Sequence, residues 1–305
     1  MQPSTLSVQD LVRQTSRPTA AVVSMPIAGS GRPIHAIEVD NACALTLWQE
    51  CRALLQGTGH QAIVTCFWGM RYPTWPATLE AELPHAVSRF FFDEEVERGL
   101  AGMVSAEPGS IIESASQLDH DALVQDYLRV LQVQANDIDW ELERLARLYG
   151  RAPEREMLEL SLLDDSTPAW VSVQRAAFEW ERRNGLRPPS QPPVPWFEPT
   201  ETMALLLLPV AEPEHLLAYL HWWGSSTLGS PATIALLGRW RRDFGARLAC
   251  HFGTMLQLYV ERPPTDADTA FQLAVELETL APSGDIGELA WHLMETDRWF
   301  LHNRP

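Results

Sequence analysis

The fold is decided by residues 203–305, which open MALLLLPVAEPEHLLAYLHWWGSS and close on DRWFLHNRP. Patterns typical of strands and helices alternate along this block in the order strand, helix, helix, strand, strand, helix, helix, strand. The apolar run 204–210 predicts a buried strand, and residues 247–251 and 255–261 predict a hairpin around Gly253. We therefore expect an α+β fold in which helices pack on one face of a mainly antiparallel sheet.

The residues before this block predict an α/β region. Short strands at 20–26 and 34–39 precede a helix that Asn41 caps and that carries Trp48, and another strand follows at 61–68. A strand–helix–strand unit of this kind predicts parallel strands joined by a right-handed crossover. Apolar stripes at helical spacing predict three more helices, at residues 119–134, 137–149 and 171–183.

A proline-rich run, RPPSQPPVPWFEPT at residues 187–200, divides the chain. Its prolines exclude both a helix and a central strand, so an extended connector is expected. The sequence therefore predicts three parts: an N-terminal α/β region with a helical insert at 1–186, a linker at 187–200, and a C-terminal α+β domain at 201–305.

The chain is strongly acidic, with 40 acidic residues against 23 basic ones and a formal net charge of −17. Such a field repels the phosphates of nucleic acids and anionic membranes, and it favours a basic protein as partner. No run approaches the roughly 20 apolar residues of a membrane-spanning helix, and the N-terminus lacks the layout of a signal peptide. We expect a cytoplasmic protein that binds neither nucleic acid nor membrane.

Several enzyme classes are excluded because every basic residue is an arginine. A Walker A loop, the strand lysine of a protein kinase, a Schiff-base aldolase and a pyridoxal-phosphate enzyme all need a lysine. The chain also lacks a GxSxG elbow, and its four cysteines show no CxxC spacing. We therefore assign no catalytic residue and expect no cofactor.

The C-terminal block resembles the bacterial domain-of-unknown-function 4253 family. The motifs that carry the resemblance are LPV at 208–210, GRWRRDFGARL at 238–248, LQLYVERPPT at 256–265 and RWF at 298–300. A fainter resemblance reaches the helix that carries Trp48. The family implies a fold but no assigned chemistry.

The chain departs from that family at two polar positions. Where relatives often carry a polar Trp-Asn and Cys-Pro turn, this chain has WWGS at 222–225, and a Tyr-Cys-Pro-Asp pattern is replaced by LAPS at 280–283. If these polar residues form a site in relatives, this chain has lost much of it. The resemblance therefore argues against an enzyme.

A metal-dependent hydrolase remains the first alternative. Its ligands would come from a set of imidazoles and one carboxylate in the C-terminal block: His215, His221, His251 and Glu212. His215 and His221 are six residues apart, which places them on different faces of a helix instead of one. A second alternative is a structural or scaffolding subunit of a bacterial assembly.

Three tryptophans within the C-terminal domain predict an interaction surface. Adjacent residues in a turn diverge, so Trp222 and Trp223 are not both expected to be buried. Tryptophan beside arginine is typical of interface anchors, and the chain repeats this pairing at Trp240, Arg241 and Arg242. Packing against the proline linker is an equal alternative. Our preferred hypothesis is a non-enzymatic, acidic protein-binding module, and its concrete form is an immunity-like protein that neutralises a basic toxin.

Overall fold

The computed structural model describes residues 7–26, 33–40, 42–66, 108–130, 137–163, 167–189, 203–220, 222, 224 and 228–303. Over these residues the protein has a mixed α+β fold with a mainly antiparallel sheet, which confirms the predicted class. The chain forms two compact units. The sheet unit comprises Met1–Leu118, Val194–Tyr259 and Phe300–Pro305, and the helical unit comprises Asp119–Pro193 and Val260–Trp299.

The described strands form one sheet in the order β1-β2-β4-β3-β5-β6-β7. Their bounds are β1 Val22–Pro26, β2 Pro33–Val39, β3 Gln61–Cys66, β4 Met203–Leu208, β5 Arg247–His251, β6 Met255–Tyr259 and β7 Arg298–His302.

Strand β4 is the interior strand that holds the sheet together. Its six residues MALLLL are all buried, as expected for a continuous apolar run covered on both faces. It pairs antiparallel with β2 on one side and with β3 on the other. Consequently β2 and β3 run in the same direction, as the sequence predicted, but β4 lies between them. The parallel ladder joins β3 to β5, with Val64 opposite Cys250.

The described α-helices are α1 Val8–Val12, α2 Ala44–Leu54, α3 Pro108–Ser116, α4 His120–Val130, α5 Asp137–Tyr149, α6 Arg155–Leu160, α7 Ala169–Arg183, α8 Gly229–Phe244, α9 Ala267–Leu280 and α10 Ile286–Glu295. Two 3-10 segments occupy Ser161–Leu163 and Pro213–Ala218. No described helix is both long and apolar enough to cross a membrane.

Local sequence signals fix the ends of several elements. Gly245 has φ 68° and ends α8 in the left-handed conformation that glycine adopts without strain. The side chain of Asp266 accepts a hydrogen bond from the Thr269 amide at 2.8 Å and caps α9. Asp119 caps α4 in the same way through the amides of residues 121 and 122. Asn41, the predicted cap of α2, lies outside the described residues.

The two units differ from the division predicted from the sequence. Strands β1–β3 come from the N-terminal region, yet they share a sheet with β4 from the C-terminal block. The helical unit likewise combines helices from both sides of the proline-rich run. Strands from both sides of the proline-rich run therefore pair in one sheet, so this run is not the boundary between the two units. Residues 190–200 of the predicted linker lie outside the described residues.

Candidate functional site

The two described tryptophans of the predicted surface are buried. Trp222 is 1% exposed and Trp240 is 0% exposed. Buried rings do not contact a partner directly, so neither residue serves as an exposed anchor in this structure. Trp223, the neighbour in the same turn, lies outside the described residues.

Gly224 explains how a turn can bury the ring of Trp222. A Cβ atom placed on Gly224 would lie 2.4 Å from Cε2 of that indole, a distance that carbon atoms do not tolerate. The Gly224 carbonyl accepts a hydrogen bond from Asn303 Nδ2 at 2.7 Å. Gly224 therefore lies directly against the indole of Trp222.

Arg241 belongs to an ion-pair network within the sheet unit. It donates to both carboxylate oxygens of Glu214, at 2.8 and 3.0 Å, and it lies 3.0 Å from Glu212. This fork ties α8 to the 3-10 segment Pro213–Ala218, in which Glu214 is buried. Arg242 is exposed on the same helix. Of the predicted anchor set, Arg242 is the described residue that lies most openly on the surface.

The structure describes three of the four residues of the metal alternative: His215, His251 and Glu212. Among the residues that the structure describes, no group of three or more His, Cys, Asp or Glu side chains is arranged to hold a metal ion. Glu212 pairs with Arg241, and His251 is buried on β5. His221 lies outside the described residues.

The helical unit contains a buried ionic cluster that the sequence did not predict. Arg144 on α5 lies 2.5 Å from Glu141, 3.2 Å from Glu181 and 3.4 Å from Asp285. The side chains of Arg144, Glu141 and Glu181 are 5%, 1% and 1% exposed, so water hardly reaches them. We call these four residues the arginine cluster. In the sequence, Glu141 and Arg144 resemble an ordinary surface pair at i, i+3, so a buried cluster was not predicted.

Neutral donors complete the surroundings of Glu181. Tyr149 donates to its Oε1 at 3.0 Å, and the Trp291 indole N–H donates to its Oε2 at 3.1 Å. One guanidinium nevertheless faces three carboxylates. Burial raises the pKa of Glu141 to about 7, against the lowering effect of Arg144, and burial also raises the pKa of Glu181. The cluster therefore holds a carboxyl group that titrates near neutral pH.

A groove of about 410 Å³ opens on the surface of the helical unit. Helices α4, α7 and α9 supply most of its walls, and the 3-10 segment Ser161–Leu163 supplies Ser161. Its lining includes the apolar side chains of Leu128, Val171, Phe271 and Val275. Polar side chains such as Arg175 and Glu179 stand among the lining residues.

Three exposed leucines are neighbours in sequence of Ser161, a residue that lines this groove. Leu160, Leu162 and Leu163 are 65%, 37% and 78% exposed, and they flank Ser161, which lines the groove. We call these three residues the leucine rim. Among the described residues, the other large apolar side chain with comparable exposure is Trp140 on α5, at 45%. Exposed leucines in so short a stretch are typical of a contact surface.

The negative charge of the chain is concentrated in the helical unit. Its residues include 23 acidic and 11 basic side chains, a net charge of −12 out of the −17 for the whole chain. The sheet unit carries the remaining 17 acidic and 12 basic side chains. The acidic field therefore belongs mainly to the unit that also carries the groove and the leucine rim.

The observations define an α+β protein with an acidic helical unit and no metal group among its described residues. Residues 204–302 match the model of a domain of unknown function, DUF4253, which confirms the resemblance of the C-terminal hundred residues. The matched region runs from β4 to β7 and does not include the helix that carries Trp48. No curated protein and no solved structure matches the chain.

Proposed function

We propose that the protein is a non-enzymatic, acidic protein-binding module of the bacterial cytoplasm whose helical unit recognises a basic protein. An immunity-like role, in which the module neutralises a basic toxin, is its concrete form. The observation that carries the proposal is the net charge of −12 in the helical unit. A field of this sign steers basic partners toward one part of the molecule.

Among the residues of the helical unit whose burial the structure describes, most charged side chains are exposed or half-buried, so their charge is available for binding. Four described carboxylates of the helical unit are buried: Glu141, Glu181, Glu276 and Glu278. Arg144 is the buried arginine that partly offsets them. The unit therefore keeps a large excess of surface carboxylates that a partner's arginines or lysines can pair with.

The experiment is a co-purification of the tagged full-length chain from its own cells at low and at high salt. The proposal expects a basic protein in stoichiometric amount at low salt, with its recovery falling as salt screens the charges. Recovery of an acidic partner alone, or of no partner at low salt, would contradict it. If expression of the co-purified protein stops cell growth, the immunity-like form is tested by co-expressing the chain. Restored growth supports that form, and continued growth arrest contradicts it.

A further inference from the structure

We propose that the groove of the helical unit, together with the leucine rim, is the docking site for a basic amphipathic helix of the partner. This inference rests on the proposed function and adds the place and the kind of contact. Three observations carry it: the exposed leucines, the helical walls of the groove, and the sign of the surrounding charge.

The leucine rim supplies the apolar contact. Apolar residues that line the groove are themselves mostly covered, since Leu128, Phe271 and Val275 are 2%, 2% and 4% exposed. Leu160 and Leu163 by contrast expose about two thirds or more of their side chains to water. A partner that buries both would remove a large apolar area from solvent, which favours binding by roughly 25 cal/mol per Å². In this arrangement the groove accommodates the partner's segment, and the leucine rim supplies the apolar contacts that favour its binding.

The helical walls of the groove favour a helix as the segment of the partner that binds there. They are formed mainly by α4, α7 and α9, whose backbone N–H and C=O groups are paired within each helix. An extended segment that binds by strand addition needs the open edge of a sheet, and helical walls offer no such edge. A helix satisfies its own backbone and packs its side chains between those of its neighbours. The groove therefore suits a helix with one apolar face.

The charge around the groove selects a basic helix. The arginines of the wall are engaged with carboxylates, since Arg175 lies 3.2 Å from Asp268 and 3.4 Å from Glu179. Arg182 also pairs with Asp268, at 3.0 Å. Next to the leucine rim, α6 presents the exposed carboxylates Glu156 and Glu159, and Arg155 lies 3.7 Å from Glu159. The excess of negative charge is that of the whole helical unit, −12. An amphipathic helix with leucines on one face and lysines on the other complements both features.

The test uses the full-length chain and a synthetic helix of about 18 residues, or five turns, with leucines along one face and lysines elsewhere. A scrambled peptide of the same composition keeps the charge and destroys the apolar face. We expect the amphipathic peptide to bind at least about tenfold more tightly than the scrambled one. We also expect the variant L160S/L162S/L163S to lose that advantage.

Two further variants separate docking from misfolding. Trp140→Ser removes an exposed apolar side chain that does not line the groove, and it should change the Kd by less than about twofold. Ala176→Trp adds bulk to a half-buried lining position and should weaken binding while circular dichroism and the melting temperature stay close to those of the parent chain. Each variant is compared with the parent chain by thermal unfolding before its Kd is measured.

The outcomes distinguish this inference from the proposed function. If both peptides bind equally and the leucine variants change nothing, the docking site is wrong, whereas recognition of basic partners by charge stands. If the amphipathic peptide does not bind at all, the docking site is also overturned, and the co-purification alone decides the proposed function. Selective loss in L160S/L162S/L163S and in Ala176→Trp supports the docking site.

Discussion

The ring of Trp222 packs so closely over Gly224 that a Cβ atom at position 224 would lie 2.4 Å from its Cε2 atom. The ring is 1% exposed, so it has no free space into which to move. The contact also explains why the Trp222 turn does not display this side chain to a partner. Replacing Gly224 by a residue that has a Cβ atom should therefore lower the stability of the fold.

Gly224→Ala is expected to destabilise the protein by about 1–3 kcal/mol, because the added methyl group forces the indole or the backbone to shift. The measurement is the free energy of unfolding in urea. Gly109→Ala is the matched control, since Gly109 lies in α3 with no atom within 4 Å of an added Cβ. Equal losses in the two variants would show that the Trp222 contact is not what requires a glycine.

Arg144→Met should destabilise the helical unit by about 3–5 kcal/mol, because the substitution leaves buried carboxylates without their cation. Arg147→Met on the same helix removes an exposed arginine and should cost no more than about 0.5 kcal/mol. Thermal unfolding of both variants checks the difference. A small loss for Arg144→Met would mean that the arginine cluster does not hold α5, α7 and α10 together.

Glu141 should make the helical unit more stable at mildly acidic pH than at neutral pH. Burial raises its pKa from 4.5 to about 7, so the folded state binds a proton that the unfolded state has released between these values. Its contribution to stability is complete below about pH 4.5 and is lost as the pH rises through about 7, with a slope of up to about 1.4 kcal/mol per pH unit. Glu181 and Glu278 have pKa values raised by burial and act in the same direction.

The difference between the parent chain and Glu141→Gln reports this group together with its coupling to the rest of the arginine cluster, because ionisable residues outside the cluster contribute equally to both proteins. Urea unfolding at a series of pH values between 5 and 8 should give a flatter profile for the variant. Parallel profiles for the two proteins would contradict the assignment of a near-neutral pKa to Glu141.

Local signals in the sequence predicted much of the fold. The order of elements in the C-terminal block is as expected, because apolar periodicity, Gly245 and the Asp266 cap act over a few residues. The insertion of β4 between β2 and β3 was not predicted, since pairing between strands distant in sequence leaves no local mark. The same long-range pairing explains why the sheet unit contains residues from both sides of the proline-rich run.

The candidate site was harder to predict because it depends on burial. In the sequence, Trp222 and Trp223 resemble an exposed aromatic pair. The burial of Trp222 depends on its close contact with Gly224, which has no Cβ atom. The arginine cluster combines residues from α5, α7 and the start of α10, and only their packing brings them together. The concentration of acidic residues is present in the sequence, but it becomes visible only when the units are known.

The central claim is that the acidic helical unit binds a basic partner, and a pair of charge reversals tests it most directly. Glu156→Arg with Glu159→Arg reverses two exposed carboxylates beside the leucine rim, and Glu38→Arg with Glu113→Arg makes the same change of charge in the sheet unit. The measurement is the Kd of each full-length variant for the basic protein recovered by co-purification, at low salt. We expect at least about tenfold weaker binding for the first pair and less than about twofold change for the second. Equal weakening by both pairs, or by neither, would contradict the claim.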